Sequence, residues 1–247
     1  MSITAVDLGP CSAAAPSFEA GGTARATGTV LIMPNLLQLD SSADLRTSRS
    51  RSISAAFANA WTALGPDHTI TRRDLHRDPL PHLADAHLHW PTRLRPADAT
   101  PPAEAEQLQQ ALIDELLAAD VLLLGAPLYN YSMPSTLKAW IDNIHVPGIT
   151  APFDSDTQPL KGRPAVIVTS RGASYDAGTP TASWDHAVPA LQLVLGSALG
   201  MSISVITTSL TLAETVPALA DQLERSRNEL AAAHHEATEL AGKLGAA

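Results

Sequence analysis

Three short stretches of this chain group side chains that can act in concert. Thr47-Ser48-Arg49-Ser50-Arg51-Ser52 clusters hydroxyls and guanidinium groups just ahead of a helical pattern. A helix start offers unpaired N–H donors and the positive end of its dipole, and small hydroxyls add donors without bulk. Ser48, Arg49 and Ser50 therefore suit a phosphate cradle, although a solvated turn with an N-cap needs the same residue types. The stretch Ala126 to Ser135, APLYNYSMPS, offers flat tyrosine surface and the amide of Asn130. It suits the binding of a planar ring, and a core-packing turn equally. Thr169 to Gly178, TSRGASYDAG, supplies the hydroxyls of Ser170 and Ser174, the fixed charge of Arg171, and Gly172 for close backbone approach. Donors of this kind can stabilise negative charge that develops during a reaction.

The elements that must position these stretches are legible as an alternation. Short apolar runs rich in β-branched residues alternate with longer segments of helical period, the mark of βα units around a parallel sheet. Strands are expected at Thr29 to Met33, Thr69 to Asp74, Val121 to Ala126, Ala165 to Thr169 and Ser202 to Thr207. VLLLG and AVIVTS are apolar without alternation and belong in the sheet centre, whereas TITRRDL alternates and suits an edge. Helices are expected at Ser52 to Leu64, Glu104 to Ala118, Pro134 to His145 and Ala213 to Leu244, the last with Pro217 in its first turn. In such a sheet, ligands bind outside the carboxyl ends of the strands. The loops Pro34 to Arg51, Pro127 to Met133 and Ser170 to Trp184 leave three of those ends, and they contain the three stretches.

Composition narrows the function. The chain has 247 residues, enough for one α/β domain with a substantial core, and no apolar run reaches the length of a membrane span. A net charge of −9 and the absence of a basic stripe argue against nucleic acid. The single Cys11 excludes an internal disulfide and fits a cytoplasmic setting. Residues 1–28 lack the pattern of a signal peptide and read as a flexible tail. The proline- and histidine-rich excursion from Asp78 to Pro102 reads as a long loop, a lid or an interface arm. His82, His87 and His89, like the pair His234-His235, lie in a loop and on an exposed helix face, so no metal is expected.

Ala126 to Ile144, APLYNYSMPSTLKAWIDNI, resembles the flavin-ring loop and following helix of the FMN-dependent NADH:quinone oxidoreductase and azoreductase family. Leu160 to Tyr175, LKGRPAVIVTSRGASY, resembles its second signature, and Ser48-Arg49-Ser50 is similar to its phosphate loop. The resemblance implies a flavodoxin-like α/β fold, with a five-stranded parallel sheet of order 2-1-3-4-5 and helices on both faces. It implies that Ser48, Arg49 and Ser50 hold the FMN phosphate and that Pro127, Leu128, Tyr129, Asn130 and Tyr131 hold the isoalloxazine and ribityl. Ser170, Arg171, Gly172 and Ser174 would line the other edge, and Tyr175 would reach the ring's pyrimidine oxygen. His145 and His186 would stand near the pocket mouth, able to donate a proton to a reduced acceptor.

Further expectations from the family are a homodimer, NADH or NADPH as donor, and a small conjugated acceptor, all in a ping-pong cycle. Pro34-Asn35 stand where the family has a serine after strand one, Ala173 replaces a second glycine, and Ala151 replaces an aromatic. Two other readings keep the fold: a cyclase, dehydratase or isomerase in a pocket taken over from flavoenzymes, or a one-electron carrier.

Overall fold

The structure is a computed structural model, and it describes residues 33–246. The expected tail, Cys11 and most of the first expected strand lie outside those residues. Five parallel strands form one sheet in the order β2-β1-β3-β4-β5: β1 Asn35–Asp40, β2 Thr69–Asp74, β3 Val121–Gly125, β4 Pro164–Ser170 and β5 Ser202–Thr208. β3 is buried along its whole length because alternate residues face two separate cores. Val121 and Leu123 pack with Leu36, Val166, Val168 and Ile206 beneath α1 (Arg49–Ala63) and α5 (Leu223–Gly245). Leu122 and Leu124 pack with Leu37, Leu39 and Ile167 beneath α2 (Ala103–Ala118), α3 (Ser135–Ile144) and α4 (Ala187–Leu191). An apolar run without alternation is what burial on both faces requires. Among the described residues, no helix is long and apolar enough to cross a membrane.

Two expected elements are corrected. The first strand is NLLQLD, Asn35–Asp40, not Thr29 to Met33; Met33 lies outside any strand and is exposed. Parallel pairing decides the matter, because Asn35 through Asp40 run in register with Thr69 through Asp74, and Leu36 through Asp40 with Val121 through Gly125. The final helix starts at Leu223 instead of Ala213. Two 3₁₀ turns, Thr211–Glu214 and Pro217–Gln222, precede it, and Pro217 opens the second of them. Ala233, Ala237 and Ala241 recur every fourth residue on the buried face of α5, and their small side chains let it lie close on α1.

The excursion after β2 is anchored. Leu88 is fully buried, and the Gln109 amide of α2 donates to the carbonyls of Leu88 (2.9 Å) and Asn143 (3.2 Å). Trp90 packs edge-to-face on Phe153 at 5.0 Å, and Arg93 pairs with Asp154.

Candidate functional site

The chain turns to opposite faces of the sheet after β1 and after β3, which are neighbours, so a crevice opens at their carboxyl ends. A cavity of about 540 Å³ lies there. Its wall includes Ser48 and Arg49 from the end of the loop after β1 and the start of α1, Pro127, Leu128 and Tyr129 from the loop after β3, and Ser170 and Gly172 from the end of β4 and the loop that follows it. Seven of the twelve cofactor-binding residues named from the sequence therefore share one cavity. Ser50 is joined to them through a 3.1 Å contact between its Oγ and that of Ser48.

The loop after β1 runs from Ser41 to Ser48. With β1 ending at Asp40, the residues that follow it are Ser41 and Ser42, so the serine that seemed replaced by Pro34-Asn35 is present. Ser41 Oγ donates to the Gly125 carbonyl at 2.7 Å, fastening the start of the loop to β3. Ser48 closes it as the N-cap of α1, its Oγ accepting from the Arg51 amide at 3.3 Å. Between them, Asp44 accepts from the amides of Arg46 and Thr47, both at 2.9 Å, and from the Thr47 hydroxyl. Those bonds hold its carboxyl at about 2, so the carboxylate is ionised at neutral pH.

Arg49 reaches across to β5 and α5. Its Nη1 donates to the carbonyls of Ser209 (3.3 Å) and Ser226 (3.2 Å). Its Nη2 is buried, has no hydrogen-bond partner, and stands 3.5 Å from the Glu214 carboxylate. A buried guanidinium with a spare donor beside a hydroxyl-lined helix N-terminus fits a phosphate group, so the residues present suit FMN at this end.

The loop after β3 is a tight turn with Asn130 at φ 48° and Tyr131 at φ 68°. Tyr129 and Ser132 exchange both backbone hydrogen bonds across it, at 2.8 and 3.0 Å. Two successive left-handed residues make this a type I′ turn; Asn tolerates that conformation, and Tyr adopts it at a cost of about 1 to 2 kcal/mol. Strain of this sort persists where its surroundings hold it and clusters at ligand sites. Here the His186 amide donates to the Tyr131 carbonyl at 2.9 Å, and the Tyr131 ring meets Trp184 edge-to-face at 5.5 Å. The Tyr129 hydroxyl contacts Ser42 Oγ at 3.1 Å and accepts from the Ala43 amide at 3.0 Å, linking this turn to the first loop. Beyond the turn, a second cavity of about 540 Å³ is lined by Asn130, Met133, Lys138 and, from the excursion, His82.

In the loop after β4, Arg171 pairs with Asp185 at 3.4 Å, donates to Ser209 Oγ at 3.1 Å, and lies over the Tyr175 ring at 5.4 Å. Burial, with Tyr131 and Asp185 nearby, pushes the Tyr175 phenol up against the opposing effect of Arg171. Tyr175 is therefore an O–H donor at neutral pH. A Cβ at Gly172 would stand 3.0 Å from the Leu212 side chain, which would have to give way by a few tenths of an ångström, so glycine here leaves room for close backbone approach. Ser174 turns into its own loop, accepting from the Asp176 amide at 3.3 Å, and is not part of the cavity wall. His145 caps the far end of the ten-residue α3, roughly 15 Å along the helix from the turn. Neither His145 nor His186 lines either cavity. Ala151 is buried in the core.

The cavity has a fourth wall that was not expected from the sequence. Thr211, Leu212, Glu214 and Thr215 follow β5 and close the cavity, together with Ser42, Asp44 and Thr47. The hydroxyl run Thr207-Thr208-Ser209 at a fourth strand exit was the available signal.

Known proteins similar to this chain bear on its fold and family. A family model described as a flavodoxin-like fold matches residues 34–234. An FMN-dependent NADH:quinone oxidoreductase of Kineococcus radiotolerans is 58% identical over 212 residues, covering 86% of this chain and 100% of that one. One of the same name from Frankia casuarinae is 43% identical over 209 residues, covering 81% and 97%. Among solved structures, an azoreductase of Bacillus anthracis superposes with a TM-score of 0.71 at 20% identity, covering 85% of this chain and 100% of that one. An FMN-dependent NADH-azoreductase of the same species, in complex with FMN, gives 0.69 at 18% identity, covering 86% and 99%. Structural likeness at that identity speaks for the fold, whereas the relatives that match over almost their full length speak for the family. The chain belongs to the flavodoxin-like family that includes the FMN-dependent NADH:quinone oxidoreductases.

Proposed function

We propose that this chain is an FMN-dependent oxidoreductase that takes electrons from NADH or NADPH and delivers them to quinones, azo compounds or a related conjugated acceptor. The observation that supports the reading is the convergence of four strand-exit loops on one cavity, with Ser48, Arg49, Pro127, Leu128, Tyr129, Ser170 and Gly172 in its wall. Bound FMN would supply a carrier that accepts hydride from a nicotinamide and passes electrons to the acceptor, so no protein nucleophile is required.

The chain's own residues bind and orient. Ser48, Ser50 and the α1 N-terminus seat the phosphate, and Arg49 supplies the fixed charge beside it. Pro127, Leu128 and the Tyr129–Ser132 turn set the plane of the ring, while Gly172 lets backbone approach its other edge. Arg171 places positive charge there, and Tyr175 holds a proton beside it. Of the two histidines, His186 adjoins the ring loop through its backbone and His145 stands at the opposite end of α3. Proton donation to an acceptor is therefore assigned to Tyr175 or His186 and not to His145. The exposed rings of Tyr131 and Trp184 offer flat apolar surface at the mouth of the site, suited to a conjugated acceptor.

The reading also takes the catalytic domain as single, residues 1–28 as an extension to it, the assembly as a homodimer and the setting as cytoplasmic. These points are supported by the family resemblance and by the sequence composition.

The test is steady-state turnover of NADH or NADPH with menadione, using protein saturated with FMN. Parallel lines in double-reciprocal plots, with turnover lost when FMN is stripped, are the expected result. Absence of menadione-dependent nicotinamide oxidation at saturating FMN would contradict the reading.

A further inference from the structure

Arg51 lines neither cavity, yet it touches both ends of the phosphate loop. It sits in the first turn of α1, and its amide donates to Ser48 Oγ at 3.3 Å. Its side chain turns back to the loop's beginning, where Nε and Nη2 donate to the Ser42 carbonyl at 3.1 and 2.7 Å. Nη1 and Nη2 also form a two-pronged pair with Asp74 at the end of β2, at 2.7 and 2.8 Å. Burial opposes ionisation of Asp74, but Arg51 and the amides of Arg77 and His76 hold its carboxyl at about 2. The pair is therefore fully charged at neutral pH, and the Arg51 charge is already balanced.

The consequence follows from the planarity of one peptide. In a trans peptide the C=O and the following N–H point in opposite directions. Arg51 holds the Ser42 carbonyl, so the Ala43 N–H points away from Arg51, and there it donates to the Tyr129 hydroxyl at 3.0 Å. One peptide plane is thus gripped from both sides, by the β2 edge through Asp74 and Arg51 and by the ring-binding turn through Tyr129. This connection sets where the phosphate loop stands relative to the ring loop.

We propose that Arg51, braced by Asp74, is a positioning residue for phosphate recognition: without touching the ligand, it holds the Ser42–Ala43 peptide so that phosphate seat and ring seat are the correct distance apart. The proposal rests on the reading of the cavity as an FMN site. By holding the seat formed by Ser48, Ser50 and Arg49 in place, Arg51 strengthens the preference for FMN over riboflavin, which has the same ring and ribityl but lacks the phosphate. A lysine cannot take its place, because an ammonium lacks the planar fork that serves two acceptors at fixed angles.

The test compares FMN and riboflavin affinities, by fluorescence titration, for the wild type, Arg51→Met, Arg51→Lys and Asp74→Asn. The readout is the ratio of the two dissociation constants. Each variant is expected to lose about tenfold or more in FMN affinity while its riboflavin affinity stays within about twofold. Arg51→Met combined with Asp74→Asn is expected to do little further harm, since the two act as one unit. A generally loosened domain would weaken both flavins alike. A ratio unchanged from wild type overturns the proposal, whether both affinities persist or both fall, and so does an Arg51→Lys protein that retains the wild-type ratio. If Arg51→Met does not fold, Asp74→Asn carries the same test. A wild-type protein that binds neither flavin would instead defeat the reading of the cavity.

Discussion

Ser48→Asp is expected to abolish useful FMN binding while leaving the fold intact. Ser48 is the N-cap of α1, and Asp is as good an N-cap as Ser. A carboxylate there also complements the positive end of the helix dipole, so thermal stability is expected to hold or rise slightly. The same carboxylate would stand in the cavity wall against the phosphate. Two unit charges about 4 Å apart at an effective dielectric of about 20 repel by roughly 4 kcal/mol, or about a thousandfold in affinity. Riboflavin carries no phosphate and is expected to bind the variant nearly as well as the wild type. Calorimetric or fluorescence titration of both flavins measures the contrast. An FMN affinity unchanged from wild type would place the phosphate elsewhere.

Gly125→Ala is expected to produce the second large effect, this time on stability. Gly125 ends β3 in register with Asp40, and an added Cβ would lie 2.5 Å from Asp40 Oδ1 and 3.1 Å from Ser54 Oγ. Asp40 has little room to retreat: it ends a strand paired on both sides, and its other carboxylate oxygen accepts from the Gln38 amide at 3.0 Å. Overpacking of this kind costs about 1 to 3 kcal/mol, which for a domain of this size lowers the Tm by roughly 2 to 10 °C. Asp40→Ala on the same chain is expected to recover part of the loss, since neighbouring sites couple. The midpoint of thermal unfolding measures both. A Gly125→Ala protein that melts with the wild type would show that the β1–β3 crevice is looser than its geometry implies.

The sheet centre was legible in the sequence because burial on both faces leaves a simple mark. VLLLG has no polar residue to place, so Val121–Gly125 could only be an interior strand. TITRRD alternates, and Thr69–Asp74 is an edge strand. β1 was illegible for the opposite reason. The segment around Thr29 to Met33 is rich in β-branched residues, whereas NLLQLD is leucine-rich and contains Asn, Gln and Asp. Strand preference reflects the fit to neighbouring strands more than the backbone itself, and the register with β2 and β3 overrides it. That misplacement put Pro34-Asn35 where the serine was expected and made the serine look lost. The ring loop was readable as a turn, but its left-handed Asn130 and Tyr131 were not, since Tyr is a poor turn residue and only the surrounding bonds hold it there. The wall after β5 was obscured by Pro217, which fits the start of a helix as well as it fits a 3₁₀ turn.

The proposed function requires that the cavity between the ends of β1, β3, β4 and β5 hold FMN. The most direct measurement is the visible absorption spectrum of the purified protein as FMN is added, followed by anaerobic NADH or NADPH. The expected result is a protein-bound flavin spectrum that saturates at one FMN per chain and bleaches on addition of the nicotinamide. A protein that takes up no FMN at any concentration would contradict it.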